Sequence, residues 1–419
     1  MRTVVCTALI GLLVVGMGFV PLGAQAPPYT VDVLDYWNQQ AAASIIAVAG
    51  QVPPVAALHL AMAHLAMYDA VAAATGRSRV FHPAISPAPG ASPEAAAATA
   101  AHGVLIALFP SQRGDLDARL AQTLELVPAG RAKTLGRELG SRVAQEVLQA
   151  RAGDGRFASV PYVPASLSGF WRPTPPSFAG YVFPWIGAVR PFGLRLATQF
   201  RPPGPPAMDS SRYTQEFEEV KRLGSRTSTA RTPEQREIAL FWSEHASAQM
   251  NRAVVMLART HRLPAVEKSR LFAMVWTSVA DALIGCWNAK SYYSFWRPVS
   301  AIREASDDGN PATVADPAWE PLVPTAPFPE YPSGHGCATG AAVQAIETYF
   351  GTPAVPFVMD STATNTVRRF EKVGDAIREV IEARIYIGYH FRSANVDGAA
   401  LGRQTARYIL ERHFQPIMP

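Results

Sequence analysis

Cysteine is scarce here: three residues, at positions 6, 286 and 337, in a chain of 419. So few thiols exclude a disulfide framework as the source of stability. Blocks of a single charge are missing too. The 38 Lys and Arg and the 33 Asp and Glu are interspersed, without the basic run or stripe that a nucleic-acid surface needs. Strand-type alternation is nearly absent, and there is no internal repeat. Beyond the first 26 residues no apolar run reads as long enough to span a bilayer. What the chain does hold is apolar bulk, 48% of its residues. That is enough for a large core and argues against global disorder.

The N-terminus reads as a secretory leader. Arg2 is a short positive region, Val4 to Val20 is apolar, and Ala24-Gln25-Ala26 is a small-x-small cleavage site. Residues 1–26 are therefore expected to be removed as a signal peptide, leaving a secreted or periplasmic mature chain. Cys6 leaves with the leader, and Cys286 and Cys337 read as buried free thiols.

The mature chain divides by composition. Residues 27–152 read as an N-terminal helical bundle, with Ala-rich helices near 41–75, 93–109 and 113–151. The stretch "AALHLAMAHLAMYDAVAAA" (56–74) is apolar on all sides, as a central bundle helix would be; its His59 and His64 read as core histidines. Residues 153–209 are rich in Pro, Gly and aromatics, which excludes a helix and suggests a packed covering segment. Trp171, Phe178, Trp185 and Phe192 within it are candidates for a pocket wall. Residues 210–419 read as a C-terminal helical bundle, with helices near 213–223, 233–262, 265–290, 337–350, 365–389 and 398–413. The fold class is all-α: two helical bundles, with the active site in the second.

Two cations fall on apolar helix faces. Phe272, Trp276, Val279, Leu283, Cys286 and Lys290 step by 4, 3, 4, 3 and 4 residues, so Lys290 ends a buried stripe. Val373, Ile377, Val380, Arg384 and Ile387 step by 4, 3, 4 and 3, which puts Arg384 on another. Arg297 lies seven residues beyond Lys290, just before Pro298. A buried cation without a partner costs several kcal/mol. In "FPEYPSGHG" (328–336), Ser333, Gly334 and His335 stand at the mouth of a small-residue helix, where free N–H groups favour an anion. A tetrahedral oxyanion would satisfy the three cations and this helix mouth together.

These motifs carry a family resemblance. Lys290, six residues, then Arg297-Pro298; then Pro332-Ser333-Gly334-His335; then Arg384, five residues, then His390. The set resembles the three-part signature of the vanadium-dependent haloperoxidases and the type 2 phosphatidic acid phosphatase superfamily. "CWNAKSYYSFWRPVSAIRE" and "GFWRPTPPSF" are similar to the bacterial haloperoxidase branch. The resemblance implies vanadate as cofactor, with phosphate able to occupy the same site. Lys290, Arg297 and Arg384 would neutralise its oxygens, and Ser333 and the Gly334 amide would donate hydrogen bonds. His390 would be the axial vanadium ligand, and His335 the acid–base group. The chain departs from the family pattern at Ala383 and Ala394; the second stands where a carboxylate usually follows the axial histidine. Asp397, seven residues after His390, is the nearest substitute, or else a cap for a helix starting at Gly398.

The implied activity is oxidation of halide, bromide sooner than chloride, by hydrogen peroxide to hypohalous acid, with a small organic acceptor. An acid phosphatase working through a phosphohistidine at His390 is the alternative from the same superfamily. A non-catalytic oxyanion-binding homologue is the third reading. No nucleic acid and no membrane span are expected of the mature chain, and a homodimer is compatible with it.

Overall fold

The computed structural model describes residues 32–417, so the leader and its cleavage site lie outside the described residues. Helix dominates because apolar residues recur at three- and four-residue spacing through Ala- and Leu-rich segments. In the N-terminal half the helices are α1 (Val33–Ala42), α2 (Pro53–Thr75), α3 (Pro93–Leu108), α4 (Arg113–Glu125) and α5 (Arg131–Ala150). After the irregular stretch come α6 (Ser211–Gly224), α7 (Pro233–Phe241), α8 (Ala246–Thr260), α9 (Ala265–Tyr293) and α10 (Pro298–Arg303). The last part holds α11 (Gly334–Phe350), β1 (Phe357–Ser361), β2 (Thr366–Phe370), α12 (Asp375–Tyr386) and α13 (Arg392–Leu410). Among the described residues the fold is all-α apart from one antiparallel hairpin, in which Phe357 pairs with Phe370 and Ser361 with Thr366.

Several expected boundaries differ. The helices expected over 113–151 and 233–262 are each split in two, into α4 and α5 and into α7 and α8. The helix expected over 41–75 is broken: α1 runs into a π-helical turn at Ala43–Val48, and α2 starts afresh at Pro53-Pro54, where Pro suits a first turn. The segment expected to be helical over 365–389 begins as β2, because Phe357, Met359 and Ser361 alternate inward on β1 and need a paired strand. The last helix starts at Arg392 rather than Gly398.

The core is organised around α9. Its N-terminal side packs on α2, and α2 in turn on α3 and α5; α11 and α13 cover the rest of it. Two helices, Pro53–Thr75 and Ala265–Tyr293, are long and apolar enough to cross a bilayer, contrary to the sequence expectation. Their apolar windows are 100% and 94% buried within the protein, so that surface is spent on protein neighbours.

Small residues let α11 and α13 touch backbone to backbone. A Cβ on Gly340 would lie 2.3 Å from the Ala399 carbonyl oxygen, and one on Gly402 would lie 2.1 Å from that of Cys337. The ends of these helices, which carry much of the site, are thereby fixed against each other.

The covering segment is irregular, with only a 3-10 turn at Pro184–Ala188, and it is tied to α9 along its length. Asp281, fully buried, accepts the backbone N–H groups of Phe192, Gly193 and Leu194 at 2.6, 2.7 and 2.8 Å. It is neither a surface residue nor a partner for the motif cations. Asn288 Nδ2 donates to the Gly187 carbonyl at 2.9 Å, and Trp171 N to that of Ser294 at 2.6 Å.

Candidate active site

Three chain reversals deliver the site. Helix α9 stops where Ser294 turns left-handed at φ 47°, and Pro298 bars a helical Arg297, which sits extended as the cap of α10. The segment 328–333 is irregular, with bends at Phe328, Tyr331 and Pro332 and a cis Tyr331–Pro332 bond, until Ser333 caps α11, its Oγ accepting from the Gly336 N–H at 3.4 Å. Helix α12 ends just after Arg384, the chain turns through Gly388 (φ 84°), and His390 arrives before α13 begins. Gly334 opens α11 with its Cα against the Trp287 ring; a Cβ there would stand 3.3 Å from the indole.

Lys290, Arg297, Ser333, Arg384 and His390 are buried, while Gly334 and His335 line an adjoining cavity with part of their surface open to it. Lys290 Nζ donates to the Pro329 and Glu330 carbonyl oxygens at 2.8 and 2.9 Å. Arg297 donates from Nε to Phe328 O at 2.9 Å and from Nη1 to Tyr389 O at 3.0 Å. Arg384 Nη1 donates to Trp242 O at 3.1 Å, and its Nε has no partner. Among the described residues no carboxylate oxygen lies within 4.0 Å of any of the three cationic groups. They are shielded instead by carbonyl dipoles and aromatic faces, Phe328 lying 5.1 Å from Lys290 Nζ and 4.9 Å from the Arg297 guanidinium.

The electrostatics record an unmet demand for negative charge. Burial pushes Lys290 down to about 8 and both Arg297 and Arg384 down to about 10. Burial, and then the charges of Arg384, Arg297 and Lys290, hold His335 well below the usual imidazole range. His390 is depressed by burial and the same three cations. A neutral His335 with an unpartnered Nε2 is a proton acceptor facing a cationic cage.

His390 is held at both nitrogens. Arg297 Nη1 lies 3.2 Å from Nε2, and a guanidinium can only donate, so Nε2 is the bare acceptor nitrogen. Nδ1 then carries the proton and donates to Glu330 Oε1 at 2.9 Å. The same Oε1 accepts the Phe391 backbone N–H at 3.0 Å. Burial raises Glu330 to about 8, against the pull of Arg297 and Lys290; Oε1 is an acceptor in either protonation state.

Here the structure corrects the sequence. The residue orienting His390 is Glu330 and not Asp397, whose Oδ2 instead accepts the Tyr331 hydroxyl at 2.7 Å. Asp397 lies inside α13, so it does not cap a helix either. Trp171, Phe178, Trp185 and Phe192 stay out of the cavity wall; from the covering segment Val182 and Phe183 enter it. His245 lines the cavity but is spent structurally, accepting from Ala248 N at 3.2 Å while its Nε2 lies 2.8 Å from the Gln51 carbonyl. Cys286 and Cys337 are free and buried.

The residues present fit a tetrahedral oxyanion such as vanadate or phosphate. Three cations without carboxylate ion pairs, the free Arg384 Nε–H, the undonated Ser333 hydroxyl proton and the open first turn of α11 supply donors, and His390 Nε2 holds one lone pair, now facing Arg297 Nη1, that would turn to the anion. The cavity above them has a volume of about 490 Å³.

Comparison with known proteins finds relatives by sequence and by fold. Residues 270–418 match the family model of the VCPO second helical-bundle domain. Vanadium chloroperoxidase of Curvularia inaequalis is 30% identical over 211 residues, covering 41% of this chain and 33% of that protein; the match thus spans about a third of the curated relative. Among solved structures, a bacterial vanadium-dependent iodoperoxidase superposes with a TM-score of 0.78 at 25% identity, over 92% of this chain and 97% of the other. A holo-form bacterial vanadium-dependent chloroperoxidase shares the fold with a TM-score of 0.70 at 18% identity, over 86% and 91%.

Proposed function

We propose that the chain is an exported vanadium-dependent haloperoxidase, oxidising halide with hydrogen peroxide to hypohalous acid; the likeness of residues 270–418 to the VCPO second helical-bundle domain and of the fold to a bacterial vanadium-dependent iodoperoxidase supports this reading. Bromide is the proposed halide in preference to chloride, since it gives up electrons more readily. Export is proposed from the leader at 1–26.

The observation that carries the reading is the meeting of Lys290, Arg297 and Arg384 beside an unprotonated His390 Nε2, with no carboxylate in ion-pair contact with any of the three among the described residues. Vanadate bound there would supply a Lewis acid that activates peroxide toward halide. The chain's residues do the rest. Lys290, Arg297 and Arg384 neutralise the anion and any charge that gathers on oxygen as peroxide is cleaved. The Ser333 hydroxyl and Gly334 N–H donate to it. His390 offers Nε2 as ligand, held in that tautomer by Glu330 at Nδ1. His335, kept neutral by burial and its cationic neighbours, takes a proton from peroxide at Nε2 and returns it to the departing oxygen.

The same bare Nε2 favours a second reading, an acid phosphatase in which His390 attacks phosphorus. The non-catalytic reading leaned on Ala394; Glu330 supplies the acceptor that Ala394 lacks, which favours a working site. One experiment separates the three. The metal-free protein is reloaded with orthovanadate and assayed for bromide- and peroxide-dependent bromination of a phenol, and separately for phosphate-ester hydrolysis. Vanadate-dependent bromination is expected. Hydrolysis that vanadate inhibits, without bromination, identifies the phosphatase. Vanadate binding with neither activity leaves a binder.

A further inference from the structure

Helix α7 ends beside the cage, and the carbonyls of its last turn have no intrahelical donor. They find donors elsewhere. Phe241 O accepts from Ser361 Oγ on β1 at 3.0 Å and from Gln249 Nε2 at 3.2 Å. Trp242 O accepts from Arg384 Nη1 at 3.1 Å, and the His335 ring is hydrogen-bonded to the same oxygen. A helix C-terminus carries partial negative charge, so this end suits a guanidinium and an imidazole N–H. A carbonyl oxygen has two lone pairs, enough for both.

The Trp242 side chain is held as firmly. It is buried, and its indole N–H donates to Glu379 Oε1 at 2.9 Å. The second oxygen of Glu379 accepts from Arg368 Nη1 at 3.2 Å. Glu379 and Arg384 both stand on α12, five residues apart. One helix thus grips Trp242 twice, by its indole and by its carbonyl.

The double grip bears on two groups of the site. With Nη1 committed to the carbonyl, the planar Arg384 guanidinium is fixed, and its Nε–H is left without a protein partner and available to an anion. Neutral His335 has one ring N–H. Giving it to the Trp242 carbonyl decides which nitrogen remains a proton acceptor. We infer that Trp242 is a positioning residue, clamped to α12 by Glu379, whose main-chain carbonyl sets the plane of Arg384 and the tautomer of His335.

Only the effect on turnover rests on the haloperoxidase reading; anion binding and the tautomer do not need it. Glu379 lies outside the cavity lining, so its replacement leaves the cavity wall and the proposed anion-binding groups in place. The test uses the full chain, metal-free for phosphate calorimetry and for nitrogen NMR of the histidine rings, and vanadate-loaded for bromination. Glu379→Ala is expected to weaken inorganic phosphate binding about tenfold, and to lower kcat by about tenfold or more with little change in the KM for bromide. It should also give a mixture of His335 tautomers where the parent shows one. Glu379→Gln keeps an oxygen for the indole N–H and should restore all of these to near the parent. Arg368→Met removes the other partner of Glu379 and should lower the melting temperature alone. If Glu379→Ala does not fold, Trp242→Phe, which deletes the same N–H, is read by the same criteria.

Unchanged phosphate affinity, or an unchanged His335 tautomer, in the variant that folds overturns the inference. So does a Glu379→Gln protein as impaired as the alanine variant, or an Arg368→Met protein impaired in the same way, since either assigns the effect to the charge pair. Affinity and tautomer effects in a protein whose parent never brominates keep the positioning role and remove the haloperoxidase reading. Bromination by the parent without those effects does the reverse.

Discussion

Nδ1 of His390 and Oε1 of Glu330 lie 2.9 Å apart, with Glu330 and His390 both buried. The pair comes from segments sixty residues apart in sequence. It fixes which nitrogen of His390 is unprotonated. Glu330→Gln retains an oxygen acceptor and is expected to keep vanadate affinity within a few-fold of the parent. Glu330→Ala should lose roughly 10- to 100-fold. Vanadate calorimetry measures both, and nitrogen NMR of the metal-free protein should report a mixture of His390 tautomers in the alanine variant only.

Arg384 brings charge-assisted donors to the cage while standing free of any carboxylate. Such hydrogen bonds contribute about 1.5–3 kcal/mol. Arg384→Met should weaken phosphate and vanadate binding on the order of 10- to 100-fold. It should also raise the melting temperature of the anion-free protein, because an uncompensated buried charge has gone. A lower melting temperature without anion would contradict the unmet-charge account.

His335 is assigned proton transfer rather than anion retention. His335→Ala is expected to leave vanadate affinity within about tenfold while turnover falls by roughly 10²- to 10⁴-fold. Equal losses in both would make His335 a structural donor instead.

His59 and His64 sit in α2 with burial holding both down to about 3, from an ordinary 6.5. Their folded values lie below the unfolded one, so they contribute stability that is complete above pH 6.5 and is lost as pH falls toward 3. Each contributes a slope of up to about 1.4 kcal/mol per pH unit across that window. His64→Phe should narrow the drop in urea-unfolding free energy between pH 7 and pH 4. An unchanged pH profile would remove His64 from the account.

Gly402 lets α13 approach α11, with no room for a Cβ beside the Cys337 carbonyl. Gly402→Ala is expected to destabilise by about 1–3 kcal/mol or more, and to weaken vanadate binding as well, since Ser333 and His390 lie at the ends of the same helix pair. Loss of stability with unchanged affinity would separate the crossing from the site.

Much of this architecture was legible in the sequence because helical periodicity is local. The α9 stripe placed Lys290 at the inner end of a buried face, and the α12 stripe did the same for Arg384. The Ser333-Gly334-His335 helix mouth was readable from its capping chemistry. Glu330 is not legible as a partner of His390, although it stands inside the "FPEYPSGHG" stretch. Local spacing points to a carboxylate following His390 along the helix, whereas the partner comes from the loop before α11, sixty residues earlier. No local spacing encodes that approach. The β1–β2 hairpin was missed for a related reason. Its strands are five residues each, too short for alternation to outweigh the helical pattern that follows. The route of the covering segment was equally hidden, since Asp281 reads as one more polar helix position until the amides it grips are known.

Those gripped amides have a kinetic corollary. With the 192–194 backbone bolted to α9 by Asp281, and Gly187 seated on Asn288, the proline-rich span is a fixed roof rather than a door. Reactants and products then pass where the lining is already open to solvent, near its exposed residues Val52 and Ser243. Turnover is then paced by diffusion through a standing aperture or by the bond-making step itself. Solvent viscosity, rather than any segmental hinge, becomes the variable that tells those two regimes apart.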